Sequence, residues 1–456
     1  QEKCFNYKEE ETWKSISTSK YILDANKVSN SLLSLGIKQN DKIAVITSNN
    51  NPNWHILDTG ILQIGAQNIP LYATLSEKDY EYILNHSDAK YCFVSDEELY
   101  QKVKSIENKT QLKNVFSLKE LDTNYDWNSF LKIGKTEDHN AKIETLKKNV
   151  KPEDLATIIY TSGTTGTPKG VMLNYECANQ VIQHEREHPS YGVFQGVSER
   201  ILSYLPLNHI AERIVIETAC IIFGGTISFV ESIDTFAKNL QATSPTLFFA
   251  VPRIWSKFQS GVFSKMAPKK LNLLLKIPII SGVIKKKIKT ALGLMDAGVV
   301  LTGAAPTPES LKSWYTKLDI QLREVYGMTE TTGVVSLNNK DRALVGSVGE
   351  PLPDTQVRIA DNGEVLVRGG HVFAGYWHKP EKTAEDIRDG WLHTGDVGRL
   401  EDGMLTITGR LKDIIITAGG KNITPAEIES RMKFSPYISD AVVIGDQRKY
   451  LTCLIM

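Results

Sequence analysis

The chain has 456 residues, with 53 basic and 53 acidic side chains, 41% apolar and 23% charged residues. This is the composition of an ordinary globular protein; it argues against a disordered chain, a collagen-like repeat or a small disulfide scaffold, and at roughly 150 residues per domain it suggests about three domains. A net charge of zero supplies no bulk field toward nucleic acid, so no nucleic-acid partner is expected. Cys4, Cys92, Cys177, Cys220 and Cys453 are scattered and odd in number, which argues against a paired secreted framework and for a reducing, cytoplasmic compartment. No stretch reaches the ~20 apolar residues that span a bilayer, and QEKCFNYKEEETW lacks signal-peptide character. Without an initiator Met, the chain is expected to be a processed or incomplete product.

The predicted elements alternate as in an α/β protein. Asn26 to Leu35 carries Val28, Leu32 and Leu33 at helical spacing and stops at Gly36, and Lys42 to Thr47 (KIAVIT) predicts a strand. Trp54, Leu57, Ile61 and Ile64 mark a second helix, QNIP a short strand, Tyr80 to Leu84 the opening of a third helix, and KYCFV a strand. Asn108 to Val150 is polar and rich in Lys, Asn and Asp, and is expected to form a surface connection to a new unit. Leu155 to Tyr160 (LATIIY) predicts a buried strand entering a Gly/Thr-rich loop. Lys257 to Lys289 holds nine lysines and no acidic residue around LNLLLKIPIISGVI. It reads either as a solvated helical face whose lysine stems cover apolar surface, or as a basic amphipathic segment in peripheral contact with an anionic membrane. From Gly346 onward GEVLVRGG, MLTITGR and DIIIT predict smaller β-rich modules, and no internal repeat is visible.

The strongest chemical signal is Tyr160 to Gly170, YTSGTTGTPKG. Glycines interleaved with hydroxyl residues after a strand make a loop whose backbone N–H groups and hydroxyls can wrap phosphate oxygens, with Lys169 adding a positive charge. It is not a Walker loop, since Pro168 stands between Thr167 and Lys169. A plain surface turn is the competing reading. YGMTE (Tyr326 to Glu330) follows the strand pattern IQLREV and so sits where open α/β sheets bind ligands. There an aromatic ring can stack on a purine, a hydroxyl can hold a phosphate oxygen, and a carboxylate can ligate Mg2+. Asp396 in GWLHTGD can accept ribose hydroxyls and Arg410 in TGR can donate to the same sugar. Taken singly, these residues read equally as a core aromatic, a surface carboxylate, a turn Asp and a surface Arg. No H-E-x-x-H or Cys/His cluster suggests zinc, and G-x-S-x-G is absent.

Taken in order, YTSGTTGTPKG, LPLNHIAER (Leu205 to Arg213), VPRIW (Val251 to Trp255), TGAAP (Thr302 to Pro306), YGMTE, GWLHTGD and TGRLKDIIITAGGKNITP (Thr408 to Pro425) resemble the motif series of the adenylate-forming superfamily, which includes acyl-CoA synthetases, luciferases and peptide-synthetase adenylation domains. The resemblance covers nearly the whole chain. It implies an α/β fold with a large N-terminal domain of stacked α/β sheets over 1–411, including a β-rich submodule at about 346–411, and a small mobile C-terminal α+β domain, incomplete here, over 412–456. It implies a nucleotide site built from Thr161, Ser162, Gly163, Thr164, Thr165, Gly166, Lys169, Gly303, Ala304, Ala305, Tyr326, Gly327, Met328, Thr329, Asp396 and Arg410. Thr161 and Glu330 are the implied magnesium site, and Thr161, Lys169, His209 and Glu330 the implied catalytic groups, with Lys412 as the hinge. His209 is either a hydrogen-bonded core histidine or, as the resemblance implies, the residue facing the acyl carboxylate and gating an acyl tunnel. Gly303 and His209 fall on the acyl side, and Gly419, Gly420 and Lys421 on the CoA channel.

The implied reaction forms acyl-AMP from a carboxylate and ATP, then passes the acyl group to the thiol of CoA. A further lysine, late in the small domain of this superfamily, is expected beyond Met456, in a piece missing from the chain. GAQNIPLYATLSEKDYEYILNHSDAKYCFV, LPLNHIAER and VPRIWSKF look most like long-chain fatty acyl-CoA synthetases, an acid–thiol ligase type, so the expected partners are a fatty acid, ATP and CoA. The alternatives are an acyl-AMP ligase that loads a carrier protein, a medium-chain or aryl acid CoA ligase, or, should the gene lack the late lysine, a non-catalytic nucleotide or lipid binder. The oligomeric state is left open.

Overall fold

The computed structural model describes residues 1–121, 123–161, 167–187, 192–194, 199–339, 346–418, 421–432, 438 and 440–456. Two large sheets carry the fold. The first has nine strands in the order Glu350–Pro351, Ser336–Leu337, Leu322–Tyr326, Val299–Gly303, Leu247–Ala250, Arg200–Ser203, Thr226–Phe229, Phe5–Glu9 and Thr12–Ile16. The second has seven, in the order Gly375–Tyr376, Lys169–Asn174, Leu155–Thr161, Gln67–Tyr72, Lys42–Thr47, Ala89–Val94 and Asn114–Ser117. In both, the interior strands run parallel; antiparallel partners close both edges of the first sheet and one edge of the second, whose other edge strand, Asn114–Ser117, is parallel. Parallel strands buried on both faces read as continuous apolar runs, which is why KIAVIT and LATIIY were legible. A smaller antiparallel sheet joins Gln356–Ile359, Glu364–Arg368, Trp391–Glu401, Ile387–Arg388 and Met404–Arg410. Stacked α/β sheets and a β-rich module are therefore both present.

The helices Thr18–Ser34 and Pro52–Leu62 lie in the core shared by the two large sheets: Val28, Trp54, Leu57 and Ile61 pack in one cluster with Phe93, Ile201, Phe229, Phe249 and Leu301. The first helix begins earlier than its apolar spacing suggests, because the Ser17 side chain accepts from Lys20 N–H and caps it. Asn51 and Pro52 start the second helix, the Asn51 side chain accepting from Trp54 N–H at 3.2 Å. The stretch from Asn108 to Val150 is not the surface connection its composition suggests. It supplies the edge strand Asn114–Ser117 and the helices Trp127–Ile133 and Asn140–Asn149, with Phe116, Phe130 and Ile143 buried. Each short element buries only one or two apolar side chains, too few to stand out against the polar background.

A buried polar seam joins the two halves. Asn50, just after the strand Lys42–Thr47, donates from Nδ2 to Ser203 Oγ at 2.8 Å, the Leu205 carbonyl at 2.7 Å and Glu212 Oε1 at 3.3 Å. Arg213 reaches Asp58 on the helix Pro52–Leu62 with Nη2 at 3.0 and 3.1 Å from its two oxygens, and lies 3.7 Å from Glu217. His55 stands 3.2 Å from Glu217. All of these side chains are buried. The segment Glu212–Thr218 is a widened π-type turn, closed by Thr218 Oγ1 donating to the Arg213 carbonyl at 2.8 Å. Burial dominates the charges here: it pushes the Glu212 carboxyl up to about 8 and that of Glu217 up to about 7, and it drives His55 down to about 3.

Glu212 therefore binds a proton in the folded state that the unfolded chain, with an ordinary carboxyl near 4.5, has released. That contribution is full below the unfolded value and is lost as pH rises through the folded one. Glu212→Gln keeps the shape and removes the titration. The fall in unfolding midpoint between about pH 5 and about pH 9 should be smaller in the variant than in the parent. Parallel melting curves for the two proteins across that range would contradict this account.

Candidate active site

The strand Leu155–Thr161 ends at Thr161, whose register partner on the neighbouring antiparallel strand is Lys169. The two residues thus face each other at the mouth of the Gly/Thr-rich loop. Ser162, Gly163, Thr164, Thr165 and Gly166 of that loop lie outside the described residues, as do Gly419 and Gly420.

Gly303 and Tyr326 lie at the carboxyl ends of adjacent parallel strands, with Gly303 opposite Val325. A Cβ on Gly303 would stand 2.6 Å from the Val325 carbonyl oxygen, and one on Gly327 only 2.3 Å from that of Gly333. Both glycines let backbones approach where a side chain cannot fit. Ala304 and Ala305 are exposed just past the strand end, and Ala304 adopts a left-handed φ of 66°. Met328 N–H donates to Thr331 Oγ1 at 3.0 Å and so starts the tight turn Thr329–Thr331 that presents Glu330.

Tyr326, Asp396 and Arg410 form one chain of contacts. The Tyr326 hydroxyl donates to Asp396 Oδ2 at 2.7 Å, and Arg410 Nε lies 3.1 Å from Asp396 Oδ1. Asp396 and Arg410 are register partners in the small sheet, so backbone pairing brings them together. Asp396 is buried, whereas Arg410 is 57% exposed in its side chain. Burial raises the Asp396 carboxyl, against which Tyr326 and Arg410 pull it back. Burial, reinforced by Asp396, keeps the Tyr326 phenol fully protonated. The carboxylate is thus oriented from both sides before any ligand arrives.

Glu330 is buried, and its Oε1 accepts from the Tyr376 hydroxyl at 2.9 Å. Burial raises its carboxyl, and the Tyr376 hydrogen bond and Lys169 oppose the rise. Lys169 Nζ lies 3.1 Å from the same hydroxyl and 3.8 Å from Asp386. Tyr376 and Asp386 were not among the sequence-derived candidates. No chemical motif marked them, and only the packing of the strand Gly375–Tyr376 against Lys169–Asn174 shows them.

His209 is half-buried and joins two cavities. An apolar one is lined by Val181, Phe194, Val215, Phe249, Leu301 and Val334 among others, with His209 and Ile210 in its wall. A more polar cleft shares His209 and Ile210 and is lined also by Tyr72, Tyr160, Thr161, Asn208 and Thr329. His209 Nδ1 accepts from Ala211 N–H at 3.2 Å, so in the neutral ring the proton sits on Nε2. Burial lowers the pKa of this ring, which keeps it neutral at pH 7. Asn208, beside it, has a buried Nδ2 with no hydrogen-bond partner among the described residues.

Thr161, Thr329 and His209 therefore meet at one cleft, beside Glu330. Lys412 occupies the exposed turn Leu411–Asp413 directly after Arg410, and exposed Lys421 donates its N–H to Thr417 Oγ1 at 3.1 Å; among the described residues neither lines the cleft. Among the described residues no three His, Cys, Asp or Glu side chains gather into a metal cluster. The oxygen donors of Glu330 and Thr161 suit Mg2+, which commonly binds one or two carboxylates and completes its shell with water and substrate phosphate.

Removing the Tyr326 hydroxyl leaves buried Asp396 one donor short. Tyr326→Phe is expected to destabilise the ligand-free protein by about 1 to 3 kcal/mol, read from the urea unfolding midpoint. An unchanged midpoint would show that Arg410 alone satisfies Asp396.

Residues 3–377 match the family of AMP-binding enzymes, and residues 412–456 match the AMP-binding enzyme C-terminal domain. The chain is 34% identical to long-chain-fatty-acid–CoA ligase FadD15 of Mycobacterium tuberculosis over 93% of its own length and 74% of that protein. It is 30% identical to long-chain-fatty-acid–CoA ligase ACSBG2 of Mus musculus, covering 97% of this chain and 73% of the relative. In fold it resembles ATP-bound MatB from Rhodopseudomonas palustris, with a TM-score of 0.79 at 24% identity over 100% of this chain and 84% of the other. It also resembles a Mycobacterium tuberculosis fatty acyl CoA synthetase, with a TM-score of 0.72 at 23% identity over 98% and 84%. The ordered motifs, the meeting of YTSGTTGTPKG, LPLNHIAER and YGMTE residues at one cleft and a match across most of the chain lead to one conclusion: the chain belongs to the family of AMP-binding enzymes.

Proposed function

We propose that this enzyme activates a long-chain fatty acid, first as acyl-AMP and then as acyl-CoA. The observation that carries the reading is the apolar pocket walled by Phe194, Val215, Phe249, Leu301 and Val334, which shares His209 and Ile210 with the polar cleft. An aliphatic tail fits the first space and a carboxylate the second. Each buried methylene contributes about 0.8 kcal/mol, about a fourfold gain in affinity, so such a cavity favours long chains over acetate strongly. The names of the relatives, long-chain-fatty-acid–CoA ligases at 30 to 34% identity, support the same substrate class.

In the first half-reaction a carboxylate oxygen attacks the α-phosphorus of ATP, and the bond to the β-phosphate breaks to release pyrophosphate. Lys169 and Thr161 lie where a triphosphate would approach the loop, and the neutral His209 can donate from Nε2 to the acid. Tyr326, Asp396 and Arg410 are suited to hold the adenosine, the first by stacking and the other two at the ribose. Mg2+ held by Glu330 and Thr161 would spread the charge that accumulates on the phosphates. In the second half-reaction the CoA thiol attacks the acyl carbon and AMP leaves. We assign the reorientation between the two steps to a hinge at Lys412, in the turn Leu411–Asp413, within a division of the chain into 1–411 and 412–456.

The test is a chain-length panel read by CoA-dependent AMP release. Acids of about twelve to eighteen carbons should be consumed in preference to acetate or benzoate, and Val215→Trp, which fills the cavity, should move the optimum to shorter acids. Preference for acetate or benzoate, or AMP release that CoA does not accelerate, would refute the assignment.

The same reading includes contact with a membrane, the source of such acids. The helices Pro252–Lys265, Pro268–Leu274 and Pro278–Ala291 bury Trp255, Leu271 and Ser281 inward. Outward they expose Leu273 at 63%, Ile279 at 85% and Val283 at 64%. Lys269, Lys270, Lys276, Lys286 and Lys287 of the same stretch are exposed as well, and no acidic residue lies between Asp234 and Asp296. Exposed aliphatic side chains together with ammonium groups complement an anionic lipid surface. Among the described residues no helix is long and apolar enough to cross a membrane, so the contact would be peripheral. The protein should sediment with vesicles containing phosphatidylglycerol and not with pure phosphatidylcholine. The pair Ile279→Asp with Val283→Asp should abolish sedimentation and leave turnover of a soluble short acid intact. Equal sedimentation of parent and variant would remove this surface from the account.

A further inference from the structure

The strand Gly375–Tyr376 ties together two parts of the site that are distant in sequence. It pairs with Met172 and Val171, just beyond Lys169, while Phe373 N–H donates to the Glu330 carbonyl at 2.8 Å and Trp377 N–H to the Gly170 carbonyl at 2.8 Å. The backbone of this segment thus fixes the Tyr376 side chain between Lys169 and Glu330. The phenol is buried, and its oxygen lies 2.9 Å from Glu330 Oε1, 3.0 Å from Asp386 Oδ2 and 3.1 Å from Lys169 Nζ. Lys169 Nζ also stands 4.2 Å from the centre of the Tyr376 ring, and Asp386 Oδ1 is held by Lys382 at 2.9 Å.

A phenol has one proton and two carboxylates reach for it, so its hydrogen bond serves one of them at a time, while the ammonium of Lys169 occupies a lone pair of the oxygen. We propose that Tyr376 is a positioning residue that switches its hydrogen bond between Glu330 and Asp386. It thereby couples the carboxylate assigned to magnesium to the lysine of the phosphate loop. Without nucleotide, the hydroxyl donates to Glu330 and Lys169 rests on the phenol. When Glu330 turns its oxygens to the metal, the hydroxyl donates to Asp386 instead, and Lys169 is free to leave for the phosphates. No proton is transferred in this exchange; only the direction of the O–H changes. The inference rests on the assignment of Mg2+ to Glu330 in the proposed function.

The experiment measures ATP binding by calorimetry across a magnesium series, alongside the magnesium dependence of ATP–pyrophosphate exchange, for the parent, Tyr376→Phe, Asp386→Leu and Glu330→Gln. In Tyr376→Phe, Lys169 can pair with Glu330 directly and must be displaced by the metal. In Asp386→Leu, the hydroxyl has Glu330 as its remaining carboxylate acceptor. Both variants should need about tenfold more magnesium for half-saturation, with KM for ATP rising more than kcat falls. A role confined to packing would lower the melting temperature without moving the magnesium dependence. A parent-like magnesium series in Tyr376→Phe beside an impaired Glu330→Gln would overturn the coupling alone. A parent-like series in Glu330→Gln would overturn the metal assignment and the coupling with it. Should Tyr376→Phe fail to fold, Asp386→Leu alone decides the coupling by the same criterion.

Discussion

The architecture depends on how the buried contacts of Asn50 and Asp58 hold the segment from Ser203 to Glu217. The two large sheets belong to different stretches of the chain, and apolar packing alone would let them slide, since dispersion and hydrophobic burial have no preferred register. Asn50 reaching Ser203, Leu205 and Glu212, and Arg213 reaching Asp58, fix the register with directional bonds. Such a buried pair adds little net stability over a well-packed apolar one, yet breaking it by removing one partner costs about 3 to 5 kcal/mol. Its value here lies in placement. Asn208 and His209 are held between the sheets, where the apolar cavity and the polar cleft meet.

Around that point the site draws on four separate parts of the chain. The end of Leu155–Thr161 and the start of Lys169–Asn174 present Thr161 and Lys169; the turn after Leu322–Tyr326 presents Glu330; the small antiparallel sheet brings Asp396 and Arg410; and Gly375–Tyr376 binds the first two parts together. Lys169, Glu330, Tyr326, Asp396 and Arg410 already make polar contacts with other protein groups. Such preorganisation means that a ligand exchanges existing hydrogen bonds for its own rather than ordering loose side chains.

The strands KIAVIT and LATIIY were legible because strands of a doubly covered sheet are uniformly apolar, and the chemistry was legible because YTSGTTGTPKG, LPLNHIAER and YGMTE are local strings. The edge strand Asn114–Ser117 and its two following helices were not, since each hides one or two apolar residues within polar runs. Tyr376 and Asp386 escaped for a different reason: Tyr376 meets Glu330 and Lys169 across 46 and 207 residues of chain, and Asp386 meets Lys169 from as far away.

By itself the sequence determined the class of fold, the order of its motifs and which side chains are candidates for phosphate, metal and sugar, because those properties reside in composition, periodicity and short strings. Tertiary structure alone decided that the cavity and the cleft share His209, that Asp396 lies between Tyr326 and Arg410, and that one phenol stands between Glu330, Asp386 and Lys169. These are distances between side chains remote in sequence. They are set by sheet register and by the buried seam between the sheets, and no local pattern of residues encodes them.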